Sequence, residues 1–251
     1  LGAKEDRRKA ILEVLHRKGS AKPADLAEDL SVSLVTIRRD IKDLISLGKI
    51  SSGYGFVRLQ SSPSGAEQSF ARRLHVNVDV KRSLAIKAME YINDNDVVFL
   101  GAGTTCYFLA ELLVSRFTRL HIVTNGLKAL EILAGAPGFN VECVGGSLLP
   151  GFNSMVGPKA ESSLRSSFFS KAFLSCASYR CDSGVFDLSP FTAGVKQVVV
   201  NNTKQLYLMV DSSKIGAAAP SLIASAESFG HVITDDPEMK VPQGVSVSSA
   251  S

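Results

Sequence analysis

Apolar residues in the first sixty positions recur at helical spacing and then alternate in two short runs. In KEDRRKAILEVLHRKG, Ile11, Leu12 and Leu15 share one face, and Gly19 stands where a C-terminal cap belongs. KPADLAEDL puts Pro23 in a first turn, with Leu26, Ala27 and Leu30 apolar behind it. Ser33 is a good N-cap for a third helix that runs to about Leu47 and stops at Gly48. At roughly 100° per residue, Ile37, Ile41 and Leu44 form a narrow buried stripe on that helix. Val35, Arg39 and Lys42 point nearly opposite, and Arg38 lies to one side. KISSGYGFVRL then predicts two short strands around a glycine-containing turn. Helix, helix, tight turn, helix and hairpin together outline a winged helix-turn-helix.

The stretch QSSPSGAEQS at 60–69 has no period and is rich in Ser, Pro and Gly, so a linker is expected there. From Phe70 the pattern changes. Short apolar runs predict strands at 97–100, 120–124, 141–144, 171–177, 205–210 and 231–234, and VSVSSAS at the end holds one more. Helix-period segments separate them: VKRSLAIKAMEYI, TTCYFLAELLV, GLKALEILAG and FTAGVKQVVVNNT. Strands alternating with helices imply a mostly parallel sheet covered on both faces. The predicted organisation is α/β: a winged helix-turn-helix at 1–59, the linker, and a mostly parallel α/β effector-sensing and oligomerisation domain at 70–251.

Composition changes this picture in one respect. The chain has 251 residues, 45% hydrophobic and 21% charged, with a net charge of +4. Residues 1–60 carry 12 Lys/Arg against 8 Asp/Glu, whereas the rest carries 16 of each. The whole positive excess sits in the first quarter, as expected of a nucleic-acid-binding end on a neutral body. No run approaches the roughly 18–20 apolar residues needed to cross a bilayer, and the first residues read as a helix start, not as a signal peptide. Cys106, Cys143, Cys176 and Cys181 form no C-x-x-C pair, and read as small buried hydrophobes in a reducing cytoplasm. The four histidines are dispersed; His121 and His231 read as packed in or beside strands. Neither a metal site nor a cofactor is expected.

Two groups of residues carry candidate chemistry. On the third helix, Ser33 and Thr36 can donate to phosphate or base edges, and Arg38 and Arg39 can pair bidentately with guanine or phosphate. Lys42, and Lys49, Ser51 and Tyr54 in the hairpin, extend that surface, while Asp40 is expected to pair with a nearby basic side chain. An arginine pair on a solvated helix is common; the turn before it, the hairpin after it and the local charge excess favour a duplex DNA partner. The second group lies at predicted strand ends. VVFLGAGTT runs from a strand through Gly101, Ala102 and Gly103 to Thr104 and Thr105 at a helix start, a place suited to an anion. Asn125, Gly145 and Gly146, and Asp211, Ser213 and Lys214 of VDSSKIG end three more strands. With Lys196 they predict an anionic small-molecule site beyond the carboxyl ends of the sheet.

The run from Ser33 through Thr36-Ile37-Arg38-Arg39-Asp40-Ile41, followed by Leu44 and LGKI, closely resembles the recognition-helix signature of DeoR-type bacterial transcription regulators. The resemblance continues in family order through VKRSLAIKAMEYI, VVFLGAGTT, IVTNGLKAL, VECVGGSLLP, SMVGPKAESSL, KAFLSCAS, VKQVVV and VDSSKIG. It implies an effector domain like a sugar-phosphate isomerase fold reused as a sensor. It also implies a homo-oligomer, dimer or tetramer, that represses a carbohydrate catabolic operon under control of a phosphorylated effector. Three positions depart from the family pattern: Gly101 replaces an acidic residue, and Thr192 and Gly194 stand where carboxylates are expected. Either the effector differs, or Asp182, Asp187 and Asp211 take over part of the task. A sugar-phosphate isomerase with a basic appendage would need a carboxylate base, and its two likeliest positions are glycines. A non-specific nucleic-acid-binding protein fits poorly with a neutral body and a formed crevice.

Overall fold

The computed structural model describes residues 3–18, 20–46, 49–53, 56–59 and 70–250. These fall into two compact units, Leu1–Glu67 and Gln68–Ser251. The predicted caps Gly19 and Gly48, the hairpin turn with Tyr54 and the predicted linker lie outside the described residues.

The first unit contains α1 (Ala3–Lys18), β1 (Ser20–Ala21), α2 (Pro23–Asp29), α3 (Leu34–Ser46), β2 (Ile50–Gly53) and β3 (Phe56–Leu59). The strands form an antiparallel sheet in the order β1-β3-β2, with Val57 of β3 opposite both Ala21 and Ser52. Pro23 opens α2, where its missing N–H breaks no helical bond. Ser31, at φ 50, turns the chain between α2 and α3. The Ser33 hydroxyl then accepts a hydrogen bond from Thr36 N at 3.2 Å, an N-cap at the start of α3. Ile37, Ile41 and Leu44 are buried against Ile11, Val14, Leu15 and Leu26. Each such side chain contributes roughly 1.5–3 kcal/mol, so the stripe favours one face of α3 turning outward.

The second unit is built on seven parallel strands. In chain order they are β4 (Val97–Leu100), β5 (His121–Thr124), β6 (Asn140–Cys143), β9 (Phe169–Ser175), β12 (Thr203–Val210), β14 (His231–Thr234) and β15 (Ser246–Ser249). Across the sheet the order is β15-β14-β12-β9-β4-β5-β6. From β4 the chain winds outward through β5 and β6, then returns to β9 and winds the other way, so the direction reverses between β4 and β9.

The sheet alternates inside the strands. Val98, Leu100, Ile122, Phe173, Tyr207 and Met209 pack on one face with α5 (Val78–Met89), α6 (Thr104–Arg116) and α7 (Leu127–Leu133). Phe99, Ala172, Leu174, Leu206 and Leu208 pack on the other, with α8 (Pro158–Arg165) and α9 (Pro190–Asn201). Burial on both faces is why these strands read as continuous apolar runs.

The sequence pattern did not predict several short elements: the helix α4 (Phe70–Leu74), the hairpin β7 (Ser147–Leu149) with β8 (Ser154–Val156), and α8. Also unforeseen is a small antiparallel sheet, β10-β11-β13, formed by Ser178–Arg180, Gly184–Asp187 and Ser221–Ala224. The strands among them have three or four residues and α4 has five, too few to establish a period. Cys143 is exposed, contrary to expectation, because β6 is the last strand of the sheet and its residues face outward. Cys106 is buried, Cys176 and Cys181 are half-buried, and all four are free thiols. Among the described residues no helix is long and apolar enough to cross a membrane, and no group of three or more His, Cys, Asp or Glu could hold a metal ion.

Candidate functional site

The outward face of α3 carries Val35, Arg38, Arg39 and Lys42, all exposed. Neither Arg38 nor Arg39 makes an ion pair among the described residues. The basic residues of α1 behave differently. Arg7 Nε and Arg8 Nε reach the buried carboxylate of Asp40, the latter at 3.5 Å, and Arg8 also pairs with Asp43. Asp40 therefore ties α3 to α1 from inside, while the arginines just before it remain available outside. Ser33 and Thr36 share a 2.8 Å hydroxyl contact at the start of α3, so part of their hydrogen-bonding capacity serves the cap. Lys49 is exposed. Ser51 pairs through its backbone with Arg58 in the hairpin, and Tyr54 is outside the described residues. Lys22, not singled out by the sequence, lies with its Nζ 5.5 Å from the Phe56 ring centre and joins the start of α2 to the hairpin.

In the second unit a crevice open to solvent lies at the carboxyl ends of β4, β5, β9 and β12. Its centre is the point where the winding reverses, the usual ligand position in an open parallel sheet. Ala102 to Thr105 follow β4, Asn125 follows β5, Ser175 to Ala177 end and follow β9, and Asp211 and Lys214 follow β12. The glycine loop is fixed by close approach. A Cβ on Gly103 would stand 1.9 Å from Ser175 Oγ, and one on Gly126 would stand 2.9 Å from Ala102 Cα. Gly103 also offers no side chain to cap α6, so the first-turn N–H groups of that helix keep their attraction for an outside acceptor. Thr104 and Thr105 are both buried there.

The crevice is lined by Arg73, Lys81, Lys196 and Lys214 against Asp187 and Asp211, an excess of positive charge. Lys196 Nζ donates to Asp187 Oδ2 at 2.7 Å and to the Ser175 carbonyl at 2.6 Å. Asp187 also accepts from Leu188 N at 2.8 Å. Asp211 accepts from Ser213 Oγ and, at 3.4 Å, from Asn77 Nδ2. Lys81 Nζ donates to the carbonyls of Arg73 and Val76. Burial lowers the Lys81 pKa to about 8; Asp211 opposes that shift, and Lys214 and Arg73 add to it. Burial likewise lowers Arg73, partly offset by Asp187. Such a site attracts an anion and repels a cation.

Family models agree with both halves. Residues 7–63 match a DeoR-like helix-turn-helix domain, and residues 76–236 match the DeoR C-terminal sensor domain. The chain belongs to the DeoR family. It is 33% identical to the uncharacterised HTH-type transcriptional regulator YulB of Bacillus subtilis, over 92% of this chain and 88% of that one. It is 30% identical to a lactose phosphotransferase system repressor of Staphylococcus epidermidis, over 94% of each. A ribose-5-phosphate isomerase structure in complex with phospho-erythronic acid superposes with a TM-score of 0.41 at 13% identity, over 55% of this chain and 54% of that one, too loosely to carry an argument. As a DeoR-type protein the chain is a DNA-binding helix-turn-helix regulator of transcription.

Eight of the twelve effector residues expected from the sequence of this DeoR-family chain line the crevice: Ala102, Gly103, Thr104, Thr105, Asn125, Lys196, Asp211 and Lys214. Four do not. Gly101 is enclosed, its Cβ position 3.3 Å from Leu174 and 3.4 Å from the Phe173 carbonyl. Gly145 is exposed, and Gly146, at φ +121, turns the chain against the Val156 carbonyl. Ser213 turns its hydroxyl onto Asp211. Among the missed lining residues are Arg73, Asn77, Lys81, Phe152 and Ser175. Ser175 ends a strand that was foreseen and was legible by the strand-end rule; the rest come from segments with no strand end to mark them. Of the three residues named as stand-ins for missing carboxylates, Asp187 and Asp211 are in the crevice lining and Asp182 is not. Gly194 is not bare of acid either, since Glu161 Oε1 lies 2.7 Å from its Cβ position.

Proposed function

We propose that this regulator is a repressor of a carbohydrate catabolic operon and that a phosphorylated sugar, or a related anionic metabolite, modulates its grip on the operator. The excess of positive charge lining the crevice carries this reading: the buried Lys81 and Lys196 are equalled in number by the buried Asp187 and Asp211, and the half-buried Arg73 and Lys214 are in excess. It gives a small anion favourable contacts in a partly desolvated place, where Coulomb interactions exceed those in water. Several of the relatives are named as lactose phosphotransferase system repressors, which agrees with a phosphorylated carbohydrate signal. Arg38 and Arg39 read or clamp duplex DNA, with Lys42, Lys49, Ser51, Tyr54, Ser33 and Thr36 at the edges of that contact. The protein acts in the cytoplasm as a homo-oligomer whose second unit sets the spacing of paired helix-turn-helix units on a pseudo-palindromic operator. The effector shifts the operator equilibrium only by its different affinity for the bound and released arrangements.

A thermal-shift screen of phosphorylated sugars against their unphosphorylated counterparts tests this. A native-state ligand at a hundred times its Kd stabilises by about 2.7 kcal/mol, so melting should rise with the phosphorylated compounds alone. The reading fails if the unphosphorylated sugars act equally well or if no phosphorylated compound acts at all.

A further inference from the structure

The four cations of the crevice are not equivalent. Lys196 is matched by Asp187 and the Ser175 carbonyl, and Lys81 directs its ammonium at two backbone carbonyls. Arg73 and Lys214 remain. Among the described residues neither side chain donates a hydrogen bond or joins a salt bridge. Arg73 Nε is buried with no acceptor. The guanidinium nonetheless has a defined position, its Cζ 5.1 Å from the centre of the buried Phe152 ring. A guanidinium that is held in place, short of acceptors and at the edge of a crevice is arranged for an outside oxyanion.

We propose that Arg73 and Lys214 clamp the phosphate of a phosphomonoester effector between them, and that Arg73 thereby makes the ligand hold α4 in place. This deepens the effector reading above and rests on it. Two unmatched positive charges suit a phosphomonoester, which is a dianion above a second pKa of about 6; a monocarboxylate would leave one of them unanswered. The planar fork of Arg73 can grip two phosphate oxygens while Lys214 supplies a point charge. The consequence for regulation follows from chain order. α4 begins at Phe70, two residues past the boundary at Gln68, so among the described residues it is the first helix after the DNA-binding unit. One side of α4 already rests on α6 through Phe70 and Tyr107, ring centres 6.1 Å apart. A phosphate shared by Arg73 and Lys214 would tie the same helix to the end of β12. Occupancy of the crevice would then be felt by the segment that leads to the helix-turn-helix.

The test uses the full chain with inorganic phosphate, ribose 5-phosphate and acetate as probes, in wild type, Arg73→Gln and Arg73→Lys. Calorimetric titration should give phosphate and ribose 5-phosphate Kd values about 10- to 100-fold weaker in Arg73→Gln, the loss of a charge-assisted contact. Arg73→Lys should recover part of that loss, and acetate should bind none of the three appreciably. Hydrogen exchange adds a readout that a structural role would not move: phosphate should slow exchange at residues 70–77 in wild type and not in Arg73→Gln. Equal Kd values in wild type and Arg73→Gln would overturn the clamp and leave the effector reading intact, as would protection confined to residues 104–106. Failure of both phosphate compounds to bind wild type would remove the clamp together with the effector reading. Should Arg73→Gln fold poorly, the comparison of wild type with Arg73→Lys decides by the same criteria.

Discussion

The outer face of α3 and the crevice at the strand ends are both basic, yet they are basic in opposite ways. On α3 the cations are exposed and adjacent in sequence; one helix orients them, and Arg38 and Arg39 have no ion-pair partner among the described residues. In the crevice the cations come from α4, α5, α9 and the turn after β12, and two of the four are occupied by groups of the protein itself. The difference matches the target. A polyanion as large as a duplex meets a surface, where cations may stay hydrated until contact releases counterions. A small anion must be enclosed, and enclosure obliges the protein to satisfy most of its buried charges before the ligand arrives.

The sharpest way to break this comparison is to remove the residue of α3 that holds the inner cations of α1. Asp40→Ala leaves the half-buried Arg7 without its carboxylate and Arg8 with Asp43 alone, and should destabilise the first unit by about 3 kcal/mol in urea unfolding. A negligible change would mean that the stripe of Ile37, Ile41 and Leu44 orients α3 alone. In the crevice, Lys214→Ala should weaken phosphomonoester binding by roughly 1.5–3 kcal/mol, read by titration with ribose 5-phosphate; unaltered affinity would remove the turn after β12 from the site. On the outer face, Arg39→Ala should weaken operator binding by about 1–3 kcal/mol and lower its salt dependence. Equal affinity at two salt concentrations would take Arg39 out of the interface.

The smallest effect is one of pH, and it belongs to the crevice alone. Lys81 has a pKa of about 8 in the fold, below the ordinary 10.5. Its burial is therefore a cost to stability that is complete below about pH 8 and is relieved between 8 and 10.5, as the unfolded chain keeps the proton that the folded chain loses. A bound anion favours the protonated form, so phosphomonoester affinity should fall as pH rises through about 8. Operator binding by the arginines of α3 should show no matching step. Ligand affinity that is flat from pH 7 to 9 would place the anion away from Lys81.

The two regions also differed in how far they could be read from the chain. The α3 face was legible because one helix carries it: spacing alone puts Arg39 opposite Ile37 and Ile41. The glycine loop and VDSSKIG were legible because parallel sheets bind ligands at their carboxyl ends, a rule that needs only the strands. Gly145 and Gly146 followed the same rule and did not line the crevice, because the chain continues from β6 into the hairpin β7–β8. That hairpin was too short to foresee. Phe152, in the turn between its strands, reaches the crevice instead.

What the amino-acid sequence determined by itself was the contrast between a basic helix-turn-helix and a neutral α/β body, the seven strands of the main sheet, and the outward face of α3. Each of these depends on local periodicity or on charge counted along the chain. Only the tertiary structure decided which cations are free and which are answered. Lys81 and Arg73 are eight positions apart, one on a helix that the pattern predicts and one on α4, which it does not, and nothing in that spacing tells that one would be capped by backbone carbonyls and the other left facing the crevice beside Phe152. Hydrogen-bond satisfaction depends on which distant segments meet, and packing, not periodicity, settles that.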